Sequence, residues 1–185
     1  MYHIPNDARA LRSAELLSDG LVRLMKKKLL PDITVKDLVA VSGVSRATYY
    51  RLFDNLTDIL SWKLDFIISS SMEEAVSAAS VDFRHIFLEF IRHRDRHRDL
   101  INGLIRSGRS DLIYTAHRNH MDDILRYLPI DQELSDVQKE YLAEYLAVSV
   151  PIAFRVSEKY PESEPELYYH DIITSLSALG HFLNP

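Results

Sequence analysis

Between Ser45 and Arg51 the chain places two guanidinium groups, two aliphatic hydroxyls and two phenols in one short run, Ser45-Arg46-Ala47-Thr48-Tyr49-Tyr50-Arg51. Such a set suits a polyanion. Arginine can fork onto guanine O6 and N7, and hydroxyls and phenols can meet phosphate or thymine methyl groups. Two histidine pairs offer a different chemistry. His93 and His97 are four residues apart, and His117 and His120 three apart, spacings that can set two imidazoles on one helix face for a metal ion. Arg92, Arg94, Arg96 and Arg98 surround the first pair and oppose a cation, so a solvated basic corner is expected there. The second pair lies near Asp122 and Asp123, but no cysteine or HExxH-like partner accompanies it. Ser107-Gly108-Arg109-Ser110 reads as a loop without a nucleophile-elbow or phosphate-loop pattern. With no Cys, disulfides, zinc fingers, iron–sulfur clusters and thiol nucleophiles drop out together. No catalytic residues, metal or cofactor are expected.

The elements that must position Arg46 and Tyr50 are legible around them. Thr34 can cap a helix by accepting from the amide of Asp37, whose carboxylate can reach back as a short capping-box partner. Ile33 and Leu38 then form a hydrophobic staple. Gly43 can take the left-handed conformation that ends this helix, and Ser45 caps the next, with Val44 and Tyr49 as a second staple. Two short capped helices joined at a tight glycine turn, apolar at Leu38, Val41, Val44 and Tyr49, make a helix-turn-helix.

The rest of the chain predicts helices almost throughout. Leu11, Ala14, Leu17, Leu21, Leu24 and Met25 recur at helical spacing over 6–28, and Leu56, Ile59, Leu60, Leu64, Ile67 and Ile68 repeat it. Similar runs cover 83–91, 100–105, 112–128, 137–156 and 167–183, and no window alternates with period two. Pro31, Ser107-Gly108, Pro129 and the Pro161–Pro165 stretch punctuate these runs, whereas Pro151 sits inside one and is expected to kink it. The fold class is all-α, with a three-helix N-terminal domain and a larger helical C-terminal domain. Length and composition agree: 185 residues, 46% apolar and 26% charged, can bury a real core. The longest stretch without Asp, Glu, Lys or Arg, from Ile172 to Pro185, is 14 residues, too short for a membrane span. Asp7, Arg9, Arg12 and Glu15 stand where a signal peptide would need an apolar run, so a cytoplasmic protein is expected. The net charge of −5 divides into +3 over 1–63 and −8 over the remainder, which points to an anionic partner at one end.

Ile33-Thr34-Val35-Lys36-Asp37-Leu38 followed by Gly43-Val44-Ser45-Arg46-Ala47-Thr48-Tyr49-Tyr50-Arg51-Leu52-Phe53 resembles the DNA-binding signature of TetR-type transcriptional regulators. The run Ser-Arg-x-Thr-aromatic-Tyr-x-x-Phe is its specific part. The resemblance implies a DNA-binding domain over 1–55 and a ligand-binding and dimerisation domain over 56–185. It makes 46–52 the recognition helix in the major groove, with Arg46 and Arg51 reading base edges. Thr34, Lys36 and Thr48 then meet phosphate, and Tyr50 meets backbone or a thymine methyl. Ser45 caps that helix and Ala47 sits close against the bases, while Tyr49 and Phe53 pack inward. Two positions depart from the family: Leu56 stands where a phosphate-gripping Lys opens the next helix, and Leu52 where a His is frequent. One lost phosphate contact lowers the salt slope of binding by about one unit.

For the C-terminal part the resemblance implies a linking helix over about 56–80 and a pocket for an unidentified small-molecule effector. Phe83, Phe87, Phe90, Leu104, Ile105, Tyr114 and Phe154 are the candidate lining residues. The last two helices, 135–159 and 165–183, are expected to form a homodimer. Tyr141, Tyr145, Ala153, Ile172, Leu176, Leu179 and Phe182 exceed what each helix needs for its own core. The expected function is a ligand-responsive repressor of palindromic operator DNA. Three alternatives remain: a TetR-fold protein acting through a protein partner, a metal enzyme built on His117, His120, Asp122 and Asp123, and a structural dimerisation module.

Overall fold

The computed structural model describes residues 1–76, 82–127, 133–160 and 164–183. Their regular structure is helical, and the β-type pairing found among them is an isolated bridge between Tyr2 and Phe53. They gather into two compact units, Met1–Ile67 with His97–Ala116, and Ile68–Arg96 with His117–Pro185.

In the first unit, α1 (Ala8–Met25) starts where the Asp7 carboxylate accepts from the Ala10 amide at 2.8 Å. Ala10, Ala14, Leu17, Leu21 and Met25 form its buried stripe. Each fully buried leucine there contributes roughly 1.5–3 kcal/mol of transfer free energy. A single 3₁₀ turn (Leu30–Asp32) follows, then α2 (Val35–Ser42), α3 (Arg46–Leu52) and α4 (Leu56–Val76), the last divided between the units at Ile67. The first helix is shorter than its apolar pattern predicts, because Lys26–Lys28 lie beyond its last turn. Gly20 lets α1 lie close on α2: a Cβ there would stand 3.1 Å from the Ser42 Cβ. α6 (Arg98–Arg106) docks on the end of α1. Arg106 donates to the Met25 carbonyl at 3.0 Å, and the Leu30 amide donates to the Ser107 hydroxyl at 3.1 Å. Gly108, at φ +69°, turns the chain into α7 (Ser110–Asn119).

In the second unit, α5 (Phe83–Arg96) packs on α10 (Pro165–Leu183), where the Phe87 and Tyr169 rings meet edge to face at 5.3 Å. α8 (Met121–Leu125) packs on α9 (Asp136–Lys159). Ser135 and Gln138 close a capping box at the start of α9, which runs through the buried Pro151 without ending. Tyr168 donates to the Tyr160 carbonyl at 2.7 Å, tying α10 to the end of α9. Arg118 reaches Glu140 at 2.5 Å and Glu144 at 2.9 Å, a charge-assisted tie from α7 to α9.

The structure corrects the sequence reading at three points. The apolar run over 112–128 is two helices, broken at His120, whose φ of −103° and ψ of 1° leave the helical region. Val41 is exposed, not part of the apolar core of the α2–α3 corner. The arginine-rich corner is only partly solvated. Arg92 pairs with Glu89, and Arg96 with Glu74 at 3.0 Å, but the Arg94 side chain is 4% exposed and bonded to Asp95 at 2.6 Å. Pro129 and Pro161 lie outside the described residues, as does the expected end of the linking helix at Ser80. No described helix is long and apolar enough to cross a membrane.

Candidate nucleic-acid interface

The corner formed by α2 and α3 rests on three local devices. Thr34 accepts from the Asp37 amide at 3.1 Å, and the Asp37 carboxylate accepts from the Thr34 amide at 3.1 Å, which closes the capping box. Hydrogen bonds from the Thr34 backbone and hydroxyl, then Lys28 at 3.2 Å, hold the Asp37 carboxyl below the usual carboxylate range. Gly43 ends α2 at φ +70°, a region that costs L-residues with a Cβ about 1–2 kcal/mol. Ser45 accepts from the Thr48 amide at 3.1 Å and donates to the Thr48 hydroxyl at 3.0 Å, so the N-terminus of α3 is capped.

Beneath this corner the apolar side of α3 is fully committed. Leu38, Tyr49, Leu52 and Phe53 are buried, and burial pushes the Tyr49 phenol up to about 12, with repulsion from the charges of Tyr50, Asp58 and Asp54 adding to the shift. Phe53 meets Trp62 of α4 edge to face at 6.2 Å. That anchoring leaves the opposite side of α3 to solvent. Arg46, Ala47, Tyr50 and Arg51 are exposed there, Thr48 is half-buried, and Tyr50 is 51% exposed. Thr34 and Lys36 at the start of α2 and Ser45 at the turn are exposed as well. The expected contact residues are therefore on the surface of one corner. Arg46 donates to the Tyr50 hydroxyl at 3.2 Å, and its guanidinium carbon lies 5.6 Å from the same ring centroid.

The sequence reading missed the chain before α1. His3 donates its amide to the Leu52 carbonyl at 2.8 Å, Tyr2 bridges Phe53, and the Tyr2 hydroxyl donates to Asp65 at 2.9 Å. Burial, then the Asp65 hydrogen bond, pushes the Tyr2 phenol up to about 12. This strap holds the C-terminal end of α3 against α4. Nothing in the first residues signals it, because its partners lie some fifty positions on. Lys26 and Lys28 are paired, with Asp99 at 2.5 Å and Asp37 at 3.2 Å, so they are not idle phosphate grips. Leu56 opens α4 between the carboxylates of Asp54 and Asp58, whose side chain accepts from the Asn55 amide at 3.2 Å.

The second unit holds a cavity of about 580 Å³, with a largely apolar wall. Two of the expected lining residues, Phe87 and Phe154, contribute to it. Leu104, Ile105 and Tyr114 belong to the first unit and are not in this wall. The side chains of Phe83 and Phe90 lie outside the described residues. His117 is buried in the wall with its ring edge to face with Phe154 at 6.2 Å. Among the described residues no group of three or more His, Asp or Glu is placed to hold a metal ion. On α9, Tyr141 and Tyr145 stack at 6.1 Å and are exposed, and exposed Val148, Ile152 and Val156 continue the stripe, the last two also bordering the cavity. Leu176 of α10 is exposed and lines the cavity together with Ala153 and Ile172, and Leu179 and Phe182 have side chains outside the described residues.

No family model matches the chain, and no curated protein matches it by sequence. Solved structures do. The chain is similar to the dihydroxyacetone kinase operon activator DhaS at 17% identity, with 90% of this chain and 95% of that one aligned and a TM-score of 0.62. It is similar to Lin0861 from Listeria innocua at 15% identity, over 96% of this chain and 95% of that one, with a TM-score of 0.78. The likeness to both is one of fold, an all-helical chain aligned nearly end to end.

Proposed function

We propose that this chain is a ligand-responsive TetR-type transcriptional regulator, a repressor that binds palindromic operator DNA as a homodimer. Residues 1–55 carry the DNA-reading part and 56–185 the ligand-binding and dimerisation part. The observation that carries the reading is the exposed face of α3, where Arg46, Thr48, Tyr50 and Arg51 project from a corner whose other side is buried at Tyr49, Leu52 and Phe53. A capped seven-residue helix held this way fits the major groove, where Arg46 and Arg51 reach base edges. Thr34, Lys36, Ser45 and Thr48 bond phosphates and fix the register, and Ala47 allows close approach. The similarity to an operon activator by fold adds support for gene regulation. Two copies joined through α9 and α10 read two half-sites one helical turn apart, and an effector in the second unit favours a dimer arrangement that no longer matches them.

Fluorescence anisotropy against DNA upstream of the chain's own gene, over a salt series, tests this. Sites recovered by a genome-wide pull-down extend the search. Selective, salt-sensitive binding that is lost in an Arg46→Ala/Tyr50→Ala variant supports the regulator. An empty pull-down, with binding no tighter than to unrelated DNA, overturns it. One observation favours a second reading, a protein partner instead of DNA: Leu56 opens α4 where the resemblance puts a cation, and the Met1 ammonium beside it is held by Asp54 and Asp58.

A further inference from the structure

The cavity of the second unit has walls of Ile86, Phe87 and Ile91 from α5, faced by residues of α8, α9 and α10. Three of its hydroxyls are spent on backbone carbonyls. Ser149 donates to Leu146 at 2.7 Å, Ser175 to Asp171 at 2.7 Å, and Tyr168 to Tyr160 at 2.7 Å. The wall therefore offers an apolar ligand a favourable site but few donors. One strong donor stands immediately behind it. Arg94 continues the α5 face of Phe87 and Ile91 at helical spacing, and its guanidinium carbon lies 5.9 Å from the centroids of both Phe154 and Tyr168, two rings of the wall. Its side chain is 4% exposed, one terminal nitrogen is bonded to Asp95, and the buried Nε has no hydrogen-bond partner among the described residues.

A buried guanidinium with a donor to spare is costly, because an unmade hydrogen bond at a buried charged group carries its full desolvation penalty. An acceptor carried on an apolar body removes that cost. We infer that the cavity takes an amphipathic monocarboxylate, its chain or ring system against Ile86, Phe87 and Ile91 and its carboxylate reaching Arg94 past the rings of Phe154 and Tyr168. A volume of about 580 Å³ accommodates such a molecule with a medium-length chain. The Asp171 carboxylate in the wall is exposed, where solvent and salt screen it from a bound anion. The inference rests on the regulator reading for the ligand's role as effector, and binding itself needs no DNA.

The test titrates the full chain at neutral pH with 11-(dansylamino)undecanoic acid and, separately, with its methyl ester, reading dansyl fluorescence. The acid is expected to bind at least tenfold tighter than the ester. Arg94→Gln is expected to abolish that preference while leaving the ester's affinity in place, and Arg94→Lys, which keeps the charge, restores part of it. Ser149→Leu, which narrows the cavity from α9, weakens both probes. Circular dichroism establishes that each variant is folded. If Arg94→Gln does not fold, the acid–ester comparison on the unaltered chain decides. Equal affinity for acid and ester overturns the inference in favour of a neutral lipophile, and no saturable binding of either probe overturns it outright. A chain that binds the acid selectively but no DNA keeps this inference and loses the regulator.

Discussion

Arg46 and Tyr50, one turn apart on α3, are joined twice: the guanidinium donates to the phenol oxygen at 3.2 Å and also lies over the ring at 5.6 Å. Both residues are exposed, and on the proposed DNA reading the pair fixes in advance long side chains that would otherwise lose rotamer freedom on binding. Arg46→Ala is expected to cost about 1–3 kcal/mol of specific binding, a loss of roughly five- to more than a hundredfold in affinity. Tyr50→Phe keeps the ring and loses the hydroxyl, so its loss should be smaller. Anisotropy on the recovered operator measures both, and an unchanged Arg46→Ala affinity would remove Arg46 from the interface.

Two glycines on either side of α2 are needed for unlike reasons. Gly43 has open space around it but sits at φ +70°. Gly43→Ala therefore pays only in backbone strain, about 1–2 kcal/mol. In a chain of this length, each kcal/mol corresponds to a fall in Tm of about 2–4 °C. Gly20 has ordinary helical backbone, yet a Cβ would meet Ser42 at 3.1 Å and Leu38 at 3.3 Å. Gly20→Val should push α1 from α2, with an overpacking cost of about 1–3 kcal/mol. Thermal melting of both variants checks the pair, and DNA affinity at a temperature well below Tm should suffer more for Gly20→Val.

Asp37 carries a pH dependence of predictable sign. Its carboxyl is held below its ordinary value of 3.8 by Thr34 and Lys28, so the folded state binds its proton less readily than the unfolded chain does. The stabilisation is therefore complete above 3.8 and fades as pH falls through the lowered folded value. Asp37→Asn, which mimics the protonated form, should melt below the unaltered chain at neutral pH and converge with it in acid. Melting curves over a pH series measure the gap, and a gap that widens in acid would contradict the sign.

The α2–α3 corner was legible because its causes are local: Thr34, Asp37, Gly43 and Ser45 set caps and turn within a few residues of where they act. The all-helical fold followed from apolar spacing for the same reason. What escaped depends on partners distant in sequence. Arg94 is charged and flanked by charge, and its burial depends on the distant rings of Phe154 and Tyr168 as well as on its bond to Asp95. The strap from Tyr2 and His3 needs Leu52, Phe53 and Asp65 to exist. The break at His120 ends a polar stretch, His117-Arg118-Asn119-His120, that opens only a small gap in the apolar spacing and holds no Pro or Gly to mark a stop.

Leu56 offers a gain-of-function test of the DNA reading. It is the first residue of α4 and half-buried, and the neighbouring carboxylates of Asp54 and Asp58 already hold the Met1 ammonium at 3.1 and 2.8 Å. Leu56→Lys places an ammonium where the resemblance puts a phosphate contact. Affinity for DNA should rise, and the slope of log affinity against log salt should steepen by about one unit. Anisotropy over a salt series reads the slope. An unchanged slope would mean that the start of α4 lies away from phosphate in this protein.

An exposed stripe along α9 argues for a second copy of this chain. Tyr141, Tyr145, Val148, Ile152 and Val156 are all exposed, Ile152 and Val156 at the border of the cavity, and they recur at spacings of four, three, four and four, the period of a helix-pairing seam. Tyr145 is 66% exposed, and its stacking on Tyr141 keeps the two rings ready as a flat apolar surface. A contiguous stripe of this kind left in water favours association. Val148→Glu sets a charge in the middle of the seam while leaving the buried Ala143, Ala147 and Phe154 of the same helix untouched. Light scattering should report a dimer for the unaltered chain and a monomer for the variant, with unchanged helical circular dichroism. On the proposed regulator reading a monomer carries one recognition helix, so it is expected to lose affinity for a palindrome far more than for a single half-site. A variant that stays dimeric would move the interface away from this face of α9.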